Sequence, residues 1–286
     1  MKRIVILTNL FSLLSATTIN IPADYETIQE GINASVDGDT VLIAQGIYYE
    51  NLILGKEIVL ASHALYDDLG SDWQDNENIQ GTMISGAQEP IDPNKGSCLI
   101  IRDGNIAPTI IGLTFQDGIG TAMVENDTCD INVQRPERSG GAILIYKAYP
   151  TIMYNRFIDN GTSIQADSGN VSVSVTNGGA MGHYSSDDVE FDEDRNHSSG
   201  ELTYVDFADF DAVRDFILES ALDSNESNSS RDIPEELNIQ NNYFENNNSG
   251  DGKNFYSRGY EGSIDVSYSI FDDIDFICFI QINKFS

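Results

Sequence analysis

Residues 108–117 read PTIIGLTFQD, and three later segments follow the same pattern without gaps. They are PTIMYNRFID at 150–159, ELNIQNNYFEN at 236–246 and SIDVSYSIFDD at 263–273. One aligned column holds Ile110, Ile152, Ile239 and Val266, and a column five positions later holds Phe115, Phe157, Phe244 and Phe271. Short units of this kind cannot bury an apolar face alone, so they must stack on their neighbours. The repeat therefore predicts an all-β solenoid in which isoleucine stacks on isoleucine and phenylalanine on phenylalanine.

The unequal spacing of the repeats predicts where the solenoid is interrupted. The interval from Ile239 to Val266 is the shortest and is interpreted as a bare coil. The interval from Ile110 to Ile152 is interpreted as one coil with a loop or as two coils, and the longest, from Ile152 to Ile239, as a coil with an insertion.

A shift in composition places that insertion at 183–236, where seventeen acidic residues face three arginines. Within it, 206–222 has apolar residues at helical spacing, which predicts an amphipathic helix. Smaller excursions from the coils are expected at 63–81 and 118–139.

The segment before the repeats combines one helical pattern with short strands. Ile28 and Ile32 lie one helical turn apart within 24–35, and Asp24 is the predicted N-cap of that helix. Short apolar runs between glycine turns follow, which predicts strands without intervening helices. The helix is expected to cover the first coil. The run at 275–286 is interpreted either as the last coil or as a segment that a missing cap or secretion domain would follow.

The segment INIPADYETIQEGINASVDGDTVLIAQGIYYENLIL, residues 19–54, resembles the start of right-handed parallel β-helix proteins of the pectin lyase-like superfamily. The resemblance rests on an Ile-Pro-x-x-Tyr-x-Thr-Ile-Gln pattern at 21–29, Gly-Asp-Thr-Val at 38–41 and Gly-x-Tyr-x-Glu-Asn at 46–51. The later Asn-x-Phe coils are similar to the PbH1 repeats of that family. The resemblance implies one domain over 19–286: a right-handed parallel β-helix with an N-terminal capping helix and an acidic helical insertion.

The resemblance does not imply one activity, because the superfamily holds lyases, hydrolases, esterases and proteins without known chemistry. The closest match to the Arg-x-Pro-x-x-Arg motif of pectate lyases is Gln-Arg-Pro-Glu-Arg at 134–138, which is out of register. The Asn-Thr-Asp and Gly-His-Gly motifs of polygalacturonases and the later catalytic blocks of pectin methylesterases do not occur in the sequence. No residue is therefore assigned as catalytic. The sequence predicts a carbohydrate-interacting or surface-structural protein. The alternatives are a calcium-dependent lyase or hydrolase of acidic polysaccharide, and an adhesin or scaffold fragment.

Charge and the first residues indicate where the protein works. The formal net charge of −31 argues against nucleic acid as a partner, since binding to it needs a basic surface. Residues 1–18 have two cations, a short apolar run and small residues in the order of a signal peptide, which predicts a secreted or cell-surface protein. No interior run reaches the roughly 20 apolar residues of a membrane span. Outside the cytosol Cys98 and Cys129 either pair or stay free, and their spacing leaves both open.

Two kinds of site follow from residue type. Asp192, Asp194 and Asn196 follow the spacing of an oxygen-ligand calcium loop, although His197 occupies the position of the required glycine. Aromatic rings on a solenoid flank can stack on sugar rings, so the candidate ligand-binding residues are Tyr146, Tyr149 and Tyr154, with Tyr48, Tyr49 and Trp73 as further candidates.

Two further predictions concern polar residues near the coils. The asparagines at the repeat turns are expected to form ladders that satisfy backbone groups inside the bends; they are Asn155, Asn241 and Asn242. The histidines have no zinc-ligand spacing and are predicted to lie at the surface or in turns; they are His63, His183 and His197.

Overall fold

A computed structural model describes residues 16–86, 95–102, 104, 106–126, 134–162, 175–185, 189–191, 236–250, 252–258, 263–272 and 276–279. Most of the predicted signal peptide, the predicted helix at 206–222 and Cys129 lie outside these residues. The candidate calcium ligands Asp192, Asp194 and Asn196 also lie outside them.

The described residues form mainly short strands. In chain order these are β1 (Thr18–Ile21), β2 (Thr40–Ile43), β3 (Gly46–Tyr49), β4 (Leu52–Leu54), β5 (Val59–Ser62), β6 (Thr82–Ser85), β7 (Lys95–Gly96), β8 (Leu99–Ile101), β9 (Thr109–Ile111), β10 (Thr114–Gln116), β11 (Gly120–Asn126), β12 (Gln134–Ser139), β13 (Ile143–Tyr146), β14 (Thr151–Met153), β15 (Arg156–Ile158), β16 (Val175–Asn177), β17 (Met181–Tyr184), β18 (Val189–Phe191), β19 (Glu236–Gln240), β20 (Tyr243–Glu245), β21 (Phe255–Arg258), β22 (Ser263–Ser267), β23 (Ile270–Phe271) and β24 (Phe276–Phe279). The α-helices are α1 (Ile28–Ala34) and α2 (Glu77–Gly81), and 3₁₀ turns span His63–Tyr66 and Trp73–Asp75.

Three parallel sheets make up the body of the protein. Sheet A has the order β1-β2-β5-β9-β14-β19-β22, sheet B has β3-β6-β10-β15-β20-β23, and sheet C has β4-β8-β13-β17-β21-β24. The chain visits A, B and C in that order six times, and we call each such set of three strands a coil. The predicted all-β architecture is confirmed as stacked parallel sheets in a solenoid-like arrangement.

The apolar columns of the sequence repeat lie inside the three sheets. Ile110, Ile152, Ile239 and Val266 are consecutive register partners in sheet A. The four phenylalanines are register partners in sheet B, and their rings stack with centroids 5.5, 4.9 and 4.7 Å apart along the column. Residues from all three sheets join one buried cluster, so the core runs along the axis of the solenoid. Each ring pair contributes about 0.5–1.5 kcal/mol beyond its buried area.

A ladder of buried asparagines joins successive coils at the turn between sheets A and B. Asn155 accepts a hydrogen bond from the Leu113 amide at 3.0 Å and donates to the carbonyls of Ile110 and Met153 at 3.0 and 2.9 Å. Asn242 repeats the arrangement one coil later and accepts from the Asn155 amide at 3.0 Å. The predicted ladder is confirmed for these two residues.

The residue before each ladder position adopts a left-handed backbone conformation. Asn241 has this conformation, with φ of 51°, and its side chain makes none of the ladder bonds among the described residues. The prediction for Asn241 is therefore wrong, because the turn needs one residue with positive φ and only the next one points inward. A second ladder follows sheet B, where Asn160 accepts from the Gly118 amide at 3.0 Å and Asn247 accepts from the Asn160 amide at 3.2 Å.

The coils differ in length because loops and a side sheet are inserted between their strands. Thr40 and Val59 are register partners, so the first coil is shorter than the bare coil expected from the interval between Ile239 and Val266. The interval from Ile110 to Ile152 is one coil, since these two residues pair directly. The predicted excursion at 118–139 forms the antiparallel hairpin β11–β12. Together with β7, β16 and β18 it builds a side sheet, sheet D.

Helix α1 begins at Ile28, later than predicted. Thr27 is its N-cap and forms a capping box with Glu30, whereas Asp24 accepts a hydrogen bond from the Asn20 amide at 2.7 Å. The prediction of Asp24 as N-cap is therefore wrong. A capping box satisfies two helix-end amides at once, which favours Thr27.

Polar residues of the segment 19–57 attach α1 to the first coil. Glu50 accepts from the amides of Ile28 and Gln29 at 2.9 and 3.0 Å. The Gln29 side chain in turn accepts from the Ile53 amide at 2.7 Å and donates to the Ile53 carbonyl at 3.1 Å. Lys56 donates to three carbonyls at the end of α1 at 2.6–2.8 Å. The helix thus covers the edge of sheet C with both ends satisfied, as the sequence predicted for a covering helix.

Candidate functional site

The excursion at 63–81 docks on the corner between sheets A and B. Ala64, Trp73 and Ile79 form a buried cluster, and Leu69, Tyr154 and Tyr243 pack against it. Two short-range caps shape the excursion. The Ser62 hydroxyl accepts from the Ala64 amide at 3.1 Å, and Asn76 accepts from the amides of Asn78 and Ile79 at 2.9 and 3.1 Å. The buried Thr114 hydroxyl donates to the Ile79 carbonyl at 2.8 Å and fixes the excursion to sheet B.

A pocket of about 320 Å³ opens within this excursion, lined by residues 68–73, 75 and 76. Beside it, Asp67 accepts hydrogen bonds from the side-chain amides of Asn76 and Asn78 at 2.9 and 2.8 Å. These bonds, with that from Asn76 the larger, lower the pKa of Asp67. A fixed negative charge therefore lies beside Asn76 at the edge of the pocket.

Tyrosine side chains continue from the pocket along the A–B corner. Tyr154 meets Trp73 edge-to-face with ring centroids 5.6 Å apart. Tyr243 lies on the next coil, and Tyr268, 81% exposed, lies on the coil after that. Tyr154 and Tyr268 hold the same corner position two coils apart, and the coil between them has Asn241 there. Tyr243 lies two residues beyond that position, in the column of Arg156 and Ile270 on sheet B. The three tyrosines therefore form a staggered row across coils about 4.8 Å apart. We call the pocket and this row the corner groove.

A cation and a carboxylate fix the middle tyrosine of the row. The Arg156 guanidinium lies 5.6 Å from the centroid of the Tyr243 ring, within reach of a cation–π interaction. The Tyr243 hydroxyl donates to Glu245 at 3.1 Å. Burial, and then the hydrogen bond to Glu245, raise the pKa of Tyr243, so its hydroxyl keeps its proton at neutral pH. The ring is thus held in one orientation by polar groups on the same sheet.

The border of the corner groove is acidic. Asp68, Asp72 and Asp75 line the pocket, while Glu245 and Asp272 lie near Tyr243, and Arg156 brings a cation among them. Hydrogen bonds lower the pKa of Asp67 beside the pocket, and they also lower those of Asp24 and Asp39 near the first coil. A general acid of sugar hydrolysis needs the opposite shift.

The three tyrosines predicted as ligand-binding residues are not brought together. Tyr154 lies in the corner groove. Tyr146 lies on the outer face of sheet C, with the Lys147 ammonium 5.2 Å from its ring centroid. Tyr149 is 8% exposed and packs into the core beside His183, with ring centroids 6.3 Å apart. A ligand-binding role for each tyrosine stays a prediction.

His183 is fully buried, so its predicted place at the surface or in a turn is wrong. It is the register partner of Ile145 in sheet C, and its Nδ1 lies 3.0 Å from the Ser257 hydroxyl. Burial lowers the pKa of His183 to about 3, although a hydrogen bond with the Ala148 backbone opposes the shift. A signal was present in the sequence, because aligning Gly-Gly-Ala at 140–142 with 178–180 puts His183 in the column of the core residue Ile145.

A buried polar cluster joins sheet D to the outer face of sheet C, and sequence analysis missed it. The Asn177 side-chain amide donates to Glu137 at 2.8 Å and to the Tyr184 hydroxyl at 3.3 Å. Burial, and then the charge of Glu137, raise the pKa of Tyr184 well above its usual range. These side chains are at most 2% exposed, so they hold the two sheets together rather than face a ligand.

The remaining sequence candidates are settled in part. Cys98 is a buried free thiol, and burial raises its pKa to about 12. The described ranges hold no group of three or more metal-ligating side chains and no helix long and apolar enough to cross a membrane.

Comparisons of the chain with models of protein families, with curated proteins and with solved structures each find no match.

Proposed function

We propose that this protein is a right-handed parallel β-helix of the pectin lyase-like kind that binds a polysaccharide along the corner groove without cleaving it. The observation that carries the proposal is the row of tyrosines, one on each of three successive coils, that continues from the pocket beside Trp73. The sequence of residues 1–18 supports export of the protein, so the ligand would be an extracellular glycan.

The row suits a chain-like ligand rather than a compact one. Tyr154, Tyr243 and Tyr268 present ring surface on three successive coils about 4.8 Å apart, and Tyr243 is displaced sideways by two residues. Sugar rings place C–H groups against such surfaces, and a few polar groups beside them fix orientation. Arg156 and Glu245 are those polar groups, and both belong to the sheet strands that carry the middle of the row.

Charge favours a neutral glycan over a polyuronate. The chain carries a net charge of −31, and carboxylates border the corner groove. A polyuronate brings further negative charge, which would be repelled unless a divalent cation screened it. Hydrogen bonds lower the pKa of Asp67 beside the pocket, which does not suit this carboxyl for proton donation to a leaving group.

The test is a polysaccharide panel with neutral and acidic members, run with calcium and with a chelator. Binding is measured by affinity electrophoresis and calorimetry, and cleavage by new reducing ends and new unsaturated bonds. Tyr154→Ala combined with Tyr268→Ala should weaken binding of a neutral glycan at least about tenfold, or about 1.4 kcal/mol. Tyr49→Ala is the matched control, since Tyr49 is 66% exposed but lies away from the row.

Two results would contradict the proposal. Unchanged affinity of the double variant would remove the corner groove as the binding surface. Cleavage of any polysaccharide by the pure protein, abolished by chelator, would favour the calcium-dependent lyase or hydrolase instead.

A further inference from the structure

Within the described residues, the first coil closes two of its three sheet edges and leaves one open. Strand β1 precedes β2 in sheet A, and α1 packs on β1, β2 and β4. The Gln29 side chain pairs with both backbone groups of Ile53 on the edge of sheet C. Strand β3 is the first strand of sheet B, and no described strand or helix pairs with its outer edge.

The unpaired groups of this edge can be assigned to particular residues. The Glu50 amide donates to the Ser85 carbonyl at 3.2 Å, toward β6. Backbone groups alternate in direction along a strand, so Gly46 and Tyr48 also face β6. The N–H and C=O groups of Ile47 and Tyr49 therefore point away from it.

The side chains beside the open edge are apolar and exposed. Ile47 is 58% exposed and Tyr49 is 66% exposed, and residues two apart lie on the same face of a strand. Proteins usually protect an edge of this kind with lysine, proline or a bulge. The β3 sequence, GIYY, contains neither of those residues.

We propose that the β3 edge is a docking site for an extended, lysine- or arginine-bearing peptide segment of a partner protein, which adds to sheet B as a further strand. Backbone hydrogen bonds to Ile47 and Tyr49 would supply affinity, and alternate apolar residues of the peptide would pack beside their side chains. This interaction is separate from glycan binding at the corner groove.

The charge of the segment around β3 favours a cationic peptide as the binding partner. Residues 16–57 carry seven acidic residues and one lysine, and that lysine already bonds the end of α1. A second copy of the chain would bring another net charge of −31 to an acidic region, which opposes association. A strand with lysine or arginine side chains is instead attracted by this negative charge.

The experiment titrates the full chain into a fluorescent peptide of alternating lysine and valine and follows fluorescence anisotropy. A copy of the peptide with alternate backbone amides methylated keeps the charge but loses the strand hydrogen bonds. Saturable binding of the first peptide, weakened at least about tenfold in the second, is expected. Equal binding of both peptides would overturn the proposal, since charge alone would then explain it.

Variants test the same edge from the protein side. Tyr49→Pro removes an outward N–H while leaving the β3–β6 bonds, and it should weaken binding at least about tenfold. Tyr49→Thr keeps the amide and is the matched control. Ile47→Lys places a cation beside the edge, which repels the lysine-bearing peptide without changing the backbone of β3. This variant should also weaken binding, so it keeps the test decisive if the proline variant does not fold. Wild-type affinity in both Tyr49→Pro and Ile47→Lys, or a dimer in ultracentrifugation that Tyr49→Pro dissociates, would overturn the proposal.

Discussion

Lowering the pH from 6.5 to 4.5 should remove about 2 kcal/mol of folding stability through His183 alone. His183 is fully buried in sheet C beside Ser257 and the edge of the Tyr149 ring. Charging an imidazole there requires its removal from water, and for this reason its pKa falls to about 3. The unfolded chain has no such constraint and takes up the proton near pH 6.5.

The sign follows from which state binds the proton. Between pH 6.5 and about 3 the unfolded state is protonated at His183 and the folded state is not, so acid favours unfolding. The stabilisation is complete well above pH 6.5, and below about pH 5.5 it declines by about 1.4 kcal/mol for each pH unit. Asp24, Asp39 and Asp67 also have lowered pKa values, but their effect begins near their unperturbed value of 3.8. The window from 6.5 to 4.5 therefore isolates the histidine.

Urea unfolding at pH 7.0, 5.5 and 4.5 measures the effect. The variant is His183→Leu with Ser257→Ala, because leucine continues the apolar column of Ile145 and alanine leaves no hydroxyl unpaired. Its free energy of unfolding should change by about 2 kcal/mol less than that of the wild type over the window. His63→Gln is the control variant, since His63 is exposed and has none of the burial of His183.

Two observations would refute this reasoning. The first is that the double variant loses stability with falling pH as steeply as the wild type. The second is that the nuclear magnetic resonance signal of the folded-state His183 ring titrates near pH 6.

Other substitutions test the coil contacts through the midpoint of urea unfolding. Asn155→Ala leaves buried backbone groups unpaired and should cost about 3 kcal/mol; a cost below about 1 kcal/mol would show that water replaces the amide. Phe157→Ala opens a gap in the ring stack and should cost about 3–5 kcal/mol, and a smaller loss would mean that the coils close up. Gly182→Ala would place a Cβ against the Ser139 hydroxyl and should cost about 1–3 kcal/mol, whereas Gly70→Ala, with open space around it, should stay within about 0.5 kcal/mol. Equal effects of the two glycine changes would contradict the close approach of sheet D.

The columns of the core could be predicted because stacking copies one position of the sequence into every coil. Ile152 and Phe157 meet their counterparts in neighbouring coils, so an alignment of the repeats is also a contact map. The ladder residues Asn155 and Asn242 follow from the same alignment. His183 could have been placed by it too, since its partner Ile145 occupies the same column.

The candidate site could be predicted only in part because it depends on where an excursion docks. Trp73 and Tyr154 meet edge-to-face although they are far apart in the sequence and belong to different coils. Composition alone does not show which face of a strand a ring takes. Neighbouring residues of a strand face opposite sides, so Tyr146 lies on the outer face although Ile145 beside it is in the core. Tyr149 follows the strand and its side chain turns into the core.

The asparagine ladder makes the solenoid behave as a one-dimensional lattice. Asn155 holds the backbone of the coil before it and is held by Asn242 of the coil after it, so an inner coil cannot detach without opening both neighbours. Local unfolding then starts at the terminal coils and proceeds inward one coil at a time. Amide exchange with deuterium should accordingly be slowest around Ile110 and Ile152 and should quicken toward both extremities of the stack.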